Sequence, residues 1–551
     1  MSSGSPNYCS LVILLVVTVL CQTKCDEDGT IVELKQGKIR GHVLKSENGQ
    51  DYYAFQEIPY AAPPVGKNRF QLPKEPEPWD NILDTKKNTK ICYQTISRFD
   101  FLKIEEDCLY INVYSPQKPG SDDLLPVLLW IHGGGLVNES STIEYYGPKY
   151  IMDHGVVVVT FNYRLGPFGF LGTDDGVIPQ NLGLKDQRFA IEWVNQNIHL
   201  FGGNPEHVVL VGESAGSLSV GLHLMGDWEG GKELFHGVIM QSGTPISGIC
   251  TTQHPTEQTF RLGKKVDPSF DSKSSEELLQ VLQSASAHDI LWAGIPGGAV
   301  LESSGPFSYP AYQAFIDQNY KKVPVIIGFN SEEWLYLALM NNEEVLKAYD
   351  ANPSSLVSGL MTMTPENRTI AGNLLKDLYT NNGSFVDDLG GYIRSTSDNL
   401  FTTSTCKQVE LASEVVPYFF YQFSYKGELG KGMGLLPVAP PDVGGTVAHA
   451  EDLHYMWEEQ GTNSDLSKYS AEDQLMLHRY VTLWTNFIKY LDPTPKPYSL
   501  LSNFTWSPSN KETLRYMNFK LDLEMSEHPR QYSQVKEIKE KYMEPPYVVF
   551  T

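Results

Sequence analysis

Nine residues, Val208-Val-Leu-Val-Gly-Glu-Ser-Ala-Gly216, constrain the fold of this chain more than any other stretch. Four consecutive aliphatic residues of strand length are the pattern of a strand buried on both faces. Ala215, Leu218, Ser219 and Leu222 then recur at helical spacing. Strand and helix therefore meet at Ser214 across a very sharp turn. Side chains two residues either side of the serine would collide with neighbouring elements, which accounts for Gly212 and Gly216. The turn lifts the serine oxygen above a sheet and next to a helix N-terminus, where negative charge is favoured. The bare G-x-S-x-G pattern is weak, but between a buried strand and a helix it specifies a nucleophile elbow, with Ser214 as the nucleophile.

The same alternation continues on both sides. Pro126-Val-Leu-Leu-Trp-Ile131, Val156-Val-Val-Val-Thr160, Gly237-Val-Ile-Met240, Val323-Pro-Val-Ile-Ile327 and Tyr418-Phe-Phe-Tyr-Gln-Phe423 are further runs of strand length. Asp186 to Asn197 places Phe189, Trp193 and Val194 on one helical face, and Ser470 to Leu491 reads as a long helix. Strands alternating with helices imply an α/β fold, with a mostly parallel central sheet covered by helices on both faces. No Pro/Gly/Ser-rich linker interrupts residues 26–551, and the polar stretches near 267–277 and 350–390 read as excursions from one domain.

Residues 1–25 stand apart. Leu11 to Leu20 is an apolar run of ten, followed by small or polar residues up to Cys25. That is too short to cross a bilayer, which takes about 20 residues, but it suits a signal-peptide core. Met1 to Ser10 carries no Lys or Arg, an off-pattern feature, and cleavage is expected between Cys21 and Cys25. No other stretch is apolar enough for a membrane anchor, so the mature protein is expected to be secreted. The cysteines agree with this. Beyond the leader stand Cys92, Cys108, Cys250 and Cys406, none in a C-x-x-C, so zinc and thioredoxin-like readings have no support. In an oxidising compartment Cys92 and Cys108 can close a short loop. Sequons at Asn138, Asn367, Asn382 and Asn503 fit secretion as glycosylation sites. The formal net charge of -23, spread along the chain, excludes a nucleic-acid partner, which requires clustered Lys and Arg.

A serine nucleophile attacking a carbonyl needs donors for the developing oxyanion. Trp130-Ile-His132-Gly133-Gly134-Gly135 runs a strand into three glycines, whose N–H groups can approach a substrate unobstructed. Gly134, Gly135 and Ala215 are the expected donors, and His132 is expected to brace the loop. The chain order of such sites is nucleophile, acid, histidine. Gly328-Phe-Asn-Ser-Glu332-Glu333 follows a strand, and Gly444-Gly-Thr-Val-Ala-His449-Ala-Glu-Asp-Leu-His454 lies downstream. Spacing alone leaves Glu332 and Glu333, and His449 and His454, open. Neither metal nor cofactor is called for.

Over residues 27 to 550 the sequence resembles the type-B carboxylesterase and cholinesterase family, and among its members the secreted esterases of insects. The resemblance rests on Ile58-Pro-Tyr-Ala-Ala-Pro-Pro-Val-Gly66, Glu106-Asp-Cys-Leu-Tyr-Ile-Asn-Val113, His132–Gly135, Asn162-Tyr-Arg-Leu-Gly166, Asn181-Leu-Gly-Leu-Lys-Asp-Gln187, Gly212–Gly216 and Gln241-Ser-Gly243. It implies the α/β-hydrolase fold and a Ser214–His449–Glu333 triad working through an acyl-enzyme. Glu332 and His454 become solvent-facing or supporting residues, and Glu213 structural. Ser242 matches a serine that hydrogen-bonds near the acid, and Arg69–Glu106 and Arg164–Asp186 match structural ion pairs. Trp334, Leu136 and Glu57 depart from the family pattern, the first two as candidates to line a gorge. Cys250 is left without a second disulfide.

The implied activity is hydrolysis of an uncharged small-molecule carboxylic ester of xenobiotic, odorant, pheromone or hormone type. Juvenile hormone esterases typically carry glutamine where Glu213 stands, which disfavours that subclass. Catalytically inert adhesion relatives lose the serine or histidine and add a transmembrane segment, unlike this chain. Cholinesterase activity is disfavoured because Arg98 stands where an aromatic residue would receive the choline cation. The run Trp334-Leu-Tyr-Leu-Ala-Leu339 is expected to line the gorge instead.

Overall fold

The apolar runs of the sequence pair side by side in one sheet. The computed structural model describes residues 30–226, 233–295, 297–335, 343–430 and 447–550. The expected leader lies outside these residues. The central sheet has eleven strands. They are β1 (His42–Lys45), β2 (Asp51–Pro59), β3 (Tyr110–Ser115), β4 (Leu125–Ile131), β5 (Val157–Phe161), β6 (Gly203–Glu213), β7 (Gly237–Gln241), β8 (Val325–Asn330), β9 (Tyr418–Phe423), β10 (Tyr516–Phe519) and β11 (Glu524–Ser526). Their spatial order is β11-β10-β9-β8-β7-β6-β4-β5-β3-β2-β1. Pairing is parallel from β10 across to β5 and antiparallel at both edges.

Burial on both faces explains why the central runs are unbroken in hydrophobicity. In β4, Val127, Leu129 and Ile131 join a cluster with Ile191 and Val194 of helix α1 (Leu182–Asn197) and with Leu218 and Val220 of helix α2 (Ala215–Met225). The intervening Leu128 and Trp130 join a second cluster, which takes in Met476, Leu477, Tyr480, Trp484 and Phe487 of a 20-residue helix spanning Ala471–Tyr490. Each fully buried side chain of this size contributes about 1.5–3 kcal/mol. The long helix begins where Ser470 Oγ accepts the Asp473 N–H at 3.1 Å and ends at Leu491, in a left-handed conformation.

Two expectations change in detail. Strand β6 is longer than its apolar run and reaches Gly203 to Glu213, because Gly203 also pairs with Leu125 of β4, across a register shift before Val208. The polar stretch near 350–390, expected as an excursion from one domain, has regular structure of its own. It carries a helix over Pro365–Thr380, capped by Thr364 accepting from the Asn367 N–H, with Ala371 and Leu375 buried. Its charged outer face concealed that periodicity.

Cys92 and Cys108 are joined, 16 residues apart in sequence. Arg69 grips Glu106 through two hydrogen bonds of 2.7 and 2.6 Å, and Arg164 grips the buried Asp186 in the same way. Among the described residues no helix is long and apolar enough to cross a membrane. The disulfide closes its loop at an expected gain of about 3 kcal/mol. A Cys92→Ser/Cys108→Ser variant should therefore unfold at clearly lower urea concentration. An unchanged midpoint would show that native contacts alone hold the loop.

Candidate active site

Ser214 sits between β6 and α2 with φ 55° and ψ -122°, a strained conformation for an L-residue. Its N–H donates to the Gln241 carbonyl at 2.8 Å, and its carbonyl accepts the Leu218 N–H at 2.9 Å. A Cβ on Gly212 would come within 2.5 Å of the Gly216 backbone, and one on Gly216 would overlap the Ile131 carbonyl. The close approach leaves room for glycine alone. The oxyanion loop leaves the end of β4, whose Ile131 pairs with Gly212. Gly134 and Gly135 both have positive φ, 86° and 65°. The Gly134 carbonyl is turned back to accept the N–H groups of Val137 and Asn138, at 3.1 and 3.0 Å. Ala215 opens α2. His132 stacks on Tyr163 with ring centroids 4.4 Å apart, and burial pushes its imidazole down to about 4. It is a neutral brace.

The two members of each pair that spacing left open have different surroundings. Glu333 lies just past β8 and accepts the His449 Nδ1–H at 2.7 Å through one oxygen and the Asn330 N–H at 2.6 Å through the other. A second link, His449 N–H to the Glu333 carbonyl at 3.0 Å, binds the two backbones. Glu332 points elsewhere. It is buried, not solvent-facing, and pairs at 3.4 Å with Arg530, which also meets Asp398 at 3.4 Å. His454 has its Nδ1 3.5 Å from Glu459.

Three further groups surround His449: Glu213, expected to be structural, and Asp452 and Phe401, which the sequence did not single out. Glu213 Oε1 stands 3.1 Å from Nε2 but out of line for a hydrogen bond. Burial pushes the Glu213 carboxyl up to about 8, the nearby imidazole offsetting only part of that shift. Burial alone would lower His449, but Glu213 and then Glu333 outweigh it and raise the imidazole. The two groups titrate together: a negative Glu213 raises the imidazole, and a neutral one does not. Asp452 is buried and accepts from Gln241 Nε2 at 2.9 Å, the Tyr480 hydroxyl at 2.8 Å and Asn330 Nδ2 at 3.2 Å. It ties the ends of β7 and β8 to the long C-terminal helix. Phe401 lies on a π-helical turn, Asp398–Thr402, with its ring 4.7 Å from that of His449 and 5.9 Å from that of Trp334. Such turns recur at functional sites. Asp452 lies three residues past the histidine, which could have flagged it; Phe401 has no local signal.

Ser214, Gly134, Gly135, Glu213 and His449 line a cavity of about 340 Å³, walled further by Tyr145, Tyr146, Trp334, Phe401 and Trp457. Trp334 is at the wall as expected. Leu136 is not, being fully buried in the core. Leu335 is buried too, and residues 336–339 lie outside the described residues. Arg98 does not offer a bare cation. Glu459 and Glu139 hold it at 2.6 and 3.1 Å, and its guanidinium lies 5.3 Å from the Tyr145 ring centroid. The Ser242 hydroxyl, expected to bond near the acid, is buried with no hydrogen-bond partner among the described residues. Cys250 is a free thiol at the cavity wall. Among the described residues no group of His, Cys, Asp and Glu is arranged to hold a metal ion.

Residues 28–536 match the sequence profile described as the Carboxylesterase family. The chain is 33% identical over 517 residues to juvenile hormone esterase of Tribolium castaneum, covering 88% of this chain and 86% of that one. It is 33% identical over 488 residues to venom carboxylesterase-6 of Apis mellifera, covering 84% and 86%. A crystal structure of juvenile hormone esterase from Manduca sexta with OTFP covalently attached superposes with a TM-score of 0.82. There the identity is 26%, over 93% of this chain and 99% of that one.

This coupling yields a prediction. A general base must be neutral, so turnover falls as pH drops through the His449 pKa. The negative form of Glu213 raises that pKa, and glutamine cannot. Glu213→Gln should therefore move the acidic limb of the kcat/KM profile to lower pH. A limb that stays in place would mean that Glu213 carries no charge over the range in which His449 titrates.

Proposed function

The chain belongs to the carboxylesterase family, and on that premise we propose that it hydrolyses uncharged carboxylic esters through Ser214, His449 and Glu333. The observation that carries this reading is the 2.7 Å hydrogen bond from His449 Nδ1 to Glu333, with the same imidazole lining one cavity with Ser214. Ser214 Oγ attacks the ester carbonyl carbon while His449 Nε2 takes the hydroxyl proton. Glu333 keeps the imidazole in the Nδ1–H tautomer and stabilises the imidazolium without taking its proton. Charge on the carbonyl oxygen is met by the N–H groups of Gly134, Gly135 and Ala215; loss of one such donor typically costs about 10²–10³ in turnover. The tetrahedral adduct collapses, the alcohol leaves with the proton from His449, and water activated by His449 releases the acid and Ser214.

The substrate class follows from the cavity wall. Its ionised groups pair with one another, Arg98 with Glu139 and Glu459, so the wall left for a substrate is mainly aromatic and aliphatic. Apolar chains gain about 0.8 kcal/mol per buried methylene there.

The same proposal makes the enzyme a secreted, single-domain protein of residues 26–551 after removal of residues 1–25. The Cys92–Cys108 bond supports an oxidising compartment. Of the four sequons, Asn382 and Asn503 are exposed with left-handed backbones, accessible to a glycan. Asn138 and Asn367 are half-buried, and Asn138 accepts a hydrogen bond from Thr95. Glycans are therefore assigned to Asn382 and Asn503 ahead of the other two.

Ser214→Ala should leave a folded protein with turnover reduced on the order of 10⁶-fold. Glu333→Gln and His449→Ala should collapse turnover in the same way. Glu332→Gln, which leaves Arg530 with Asp398 alone, should cost stability rather than chemistry, and His454→Ala should be mild. Retained esterase activity in Ser214→Ala would remove the nucleophile assignment.

On substrates, naphthyl and aliphatic acetates should be cleaved much faster than acetylthiocholine, and kcat/KM should rise with chain length until the cavity is full. Equal rates on charged and neutral acetates would overturn the substrate class while leaving the triad intact.

A further inference from the structure

We propose that this protein carries a second small-molecule site, separate from the gorge, that binds an uncharged apolar ligand such as a long-chain alcohol or ester. A cavity of about 420 Å³, larger than the gorge at about 340 Å³, lies against α2. Leu218, Leu222 and Met225 of that helix form one wall, and Phe307, Leu360 and Val549 contribute to the others. Volumes of this size are typical of ligand pockets.

Its chemistry differs from that of the gorge. The gorge wall carries Arg98, Glu139, Glu213, Glu459 and two histidines. The second cavity has no Lys, Arg, Asp or Glu among its described lining residues, in a chain of net charge -23. Several of its polar groups are already occupied. Thr251 Oγ1 donates to the Gly248 carbonyl at 2.9 Å. Thr252 Oγ1 and the Gln253 carbonyl accept from Gln258 Nε2 at 2.8 and 2.9 Å. The Tyr309 hydroxyl donates to Asp317 at 2.5 Å. A charged or strongly hydrogen-bonding ligand would be desolvated here with little return, whereas an apolar one gains from every methylene it buries. At the wall Leu301 is 47% exposed and Tyr309 39%, an apolar entrance that solvent alone covers poorly.

The two chambers share structure. Leu218, on the wall of the second, donates its N–H to the Ser214 carbonyl. The loop after β7 gives Ile249 and Cys250 to the gorge and Thr251 to Pro255 to the second cavity. Cys250 and His254 in that loop have φ of 58° and 57°, and Thr251 bridges to Ala299. The wall between the two cavities is thus built from this loop and the start of α2.

The test is calorimetric titration of dodecan-1-ol into full-length protein whose gorge has been filled by a single dibutylphosphoryl adduct, counted by mass. We expect one equivalent to bind the blocked protein. Leu301→Asp, at the exposed entrance, should weaken that binding by at least about tenfold while hydrolysis of a short neutral acetate stays at the wild-type rate. Leu222→Trp, which fills the cavity from α2, should weaken binding similarly. If the blocked protein binds no dodecanol, or Leu301→Asp binds it with wild-type affinity, the second site does not exist. Unchanged binding in a protein without esterase activity would leave this site standing and remove the proposed function instead.

Discussion

The backbone of Ser214 is the constraint around which the rest is arranged. A residue held at φ 55° and ψ -122° costs on the order of 1–3 kcal/mol and persists only where its surroundings overdetermine it. Here one residue serves two elements. Its N–H extends the β6–β7 ladder to the Gln241 carbonyl, and its own carbonyl starts α2. Strands β4 and β7 flank β6, and burial of their residues on both faces repays the strain many times over. The same order brings the remaining groups into reach. The oxyanion loop leaves the strand on one side of β6, and the acid leaves the strand two positions away on the other. Sites of parallel sheets gather at these carboxyl ends because that is where the connecting loops converge.

Three buried carboxylates stand near one imidazole, and their different surroundings divide the labour. Glu333 takes the Nδ1–H and a backbone N–H, so its charge is fully met where it stands. Asp452 never reaches the imidazole. Gln241, Tyr480 and Asn330 hold it between two strand ends and a helix, and it works as an internal anchor. Glu213 has the proximity without the geometry or the donors, so burial pushes its carboxyl up. The imidazole is flanked on its remaining face by Phe401, and the turn carrying Phe401 is fixed from the C-terminal part of the chain. Arg530 pairs with Asp398 at the start of that turn, and the buried Lys539 donates to Asn399 at 2.9 Å. Arg530 also holds Glu332, the neighbour of the acid. Glu332 beside Glu333, and Phe401 beside His449, are thus steadied by one buried network.

How much of this the sequence disclosed depends on whether the information was local. The elbow, the oxyanion loop and the central strands are written in consecutive residues, because a strand buried on both faces has to be continuously apolar and a tight turn has to have glycine at fixed offsets. The edge strands were not visible. β1 (His-Val-Leu-Lys) and β11 (Glu-Met-Ser) are short and carry polar residues, as edges do. The choice between Glu332 and Glu333 was not available from spacing, because it turns on which side chain faces residue 449, a fact of the tertiary fold. Leu136 looked like a gorge residue by position and is buried in the core, since its left-handed backbone turns it inward after the glycines. Phe401 was invisible for the same reason in reverse: a helical interior gives no sign that its middle turn is wound as a π-turn.

Arg98 shows where an argument from single residues fails. Taken alone, a cation at that position repels a cationic substrate. In the fold, the disulfide-closed loop carries Arg98 to the gorge wall, where Glu139 from the loop after the oxyanion glycines and Glu459 from past the histidine close on it. Gln94 holds the Glu139 backbone on both sides, its Nε2 donating to the carbonyl at 2.8 Å and its Oε1 accepting the N–H at 2.9 Å. Two carboxylates around one guanidinium leave no net positive charge to repel anything, so the proposed preference for uncharged esters cannot rest on repulsion. It rests on the cost of desolvating a charge against a wall whose ionised groups are already committed to one another. Tyr146 and Trp457 do not offer a free aromatic box either. Each packs against Trp130, with centroids 5.2 and 5.1 Å apart, and so belongs to the sheet as much as to the gorge. On the proposed reading, specificity is set by which charges the protein has already paired, more than by the sign of any one of them.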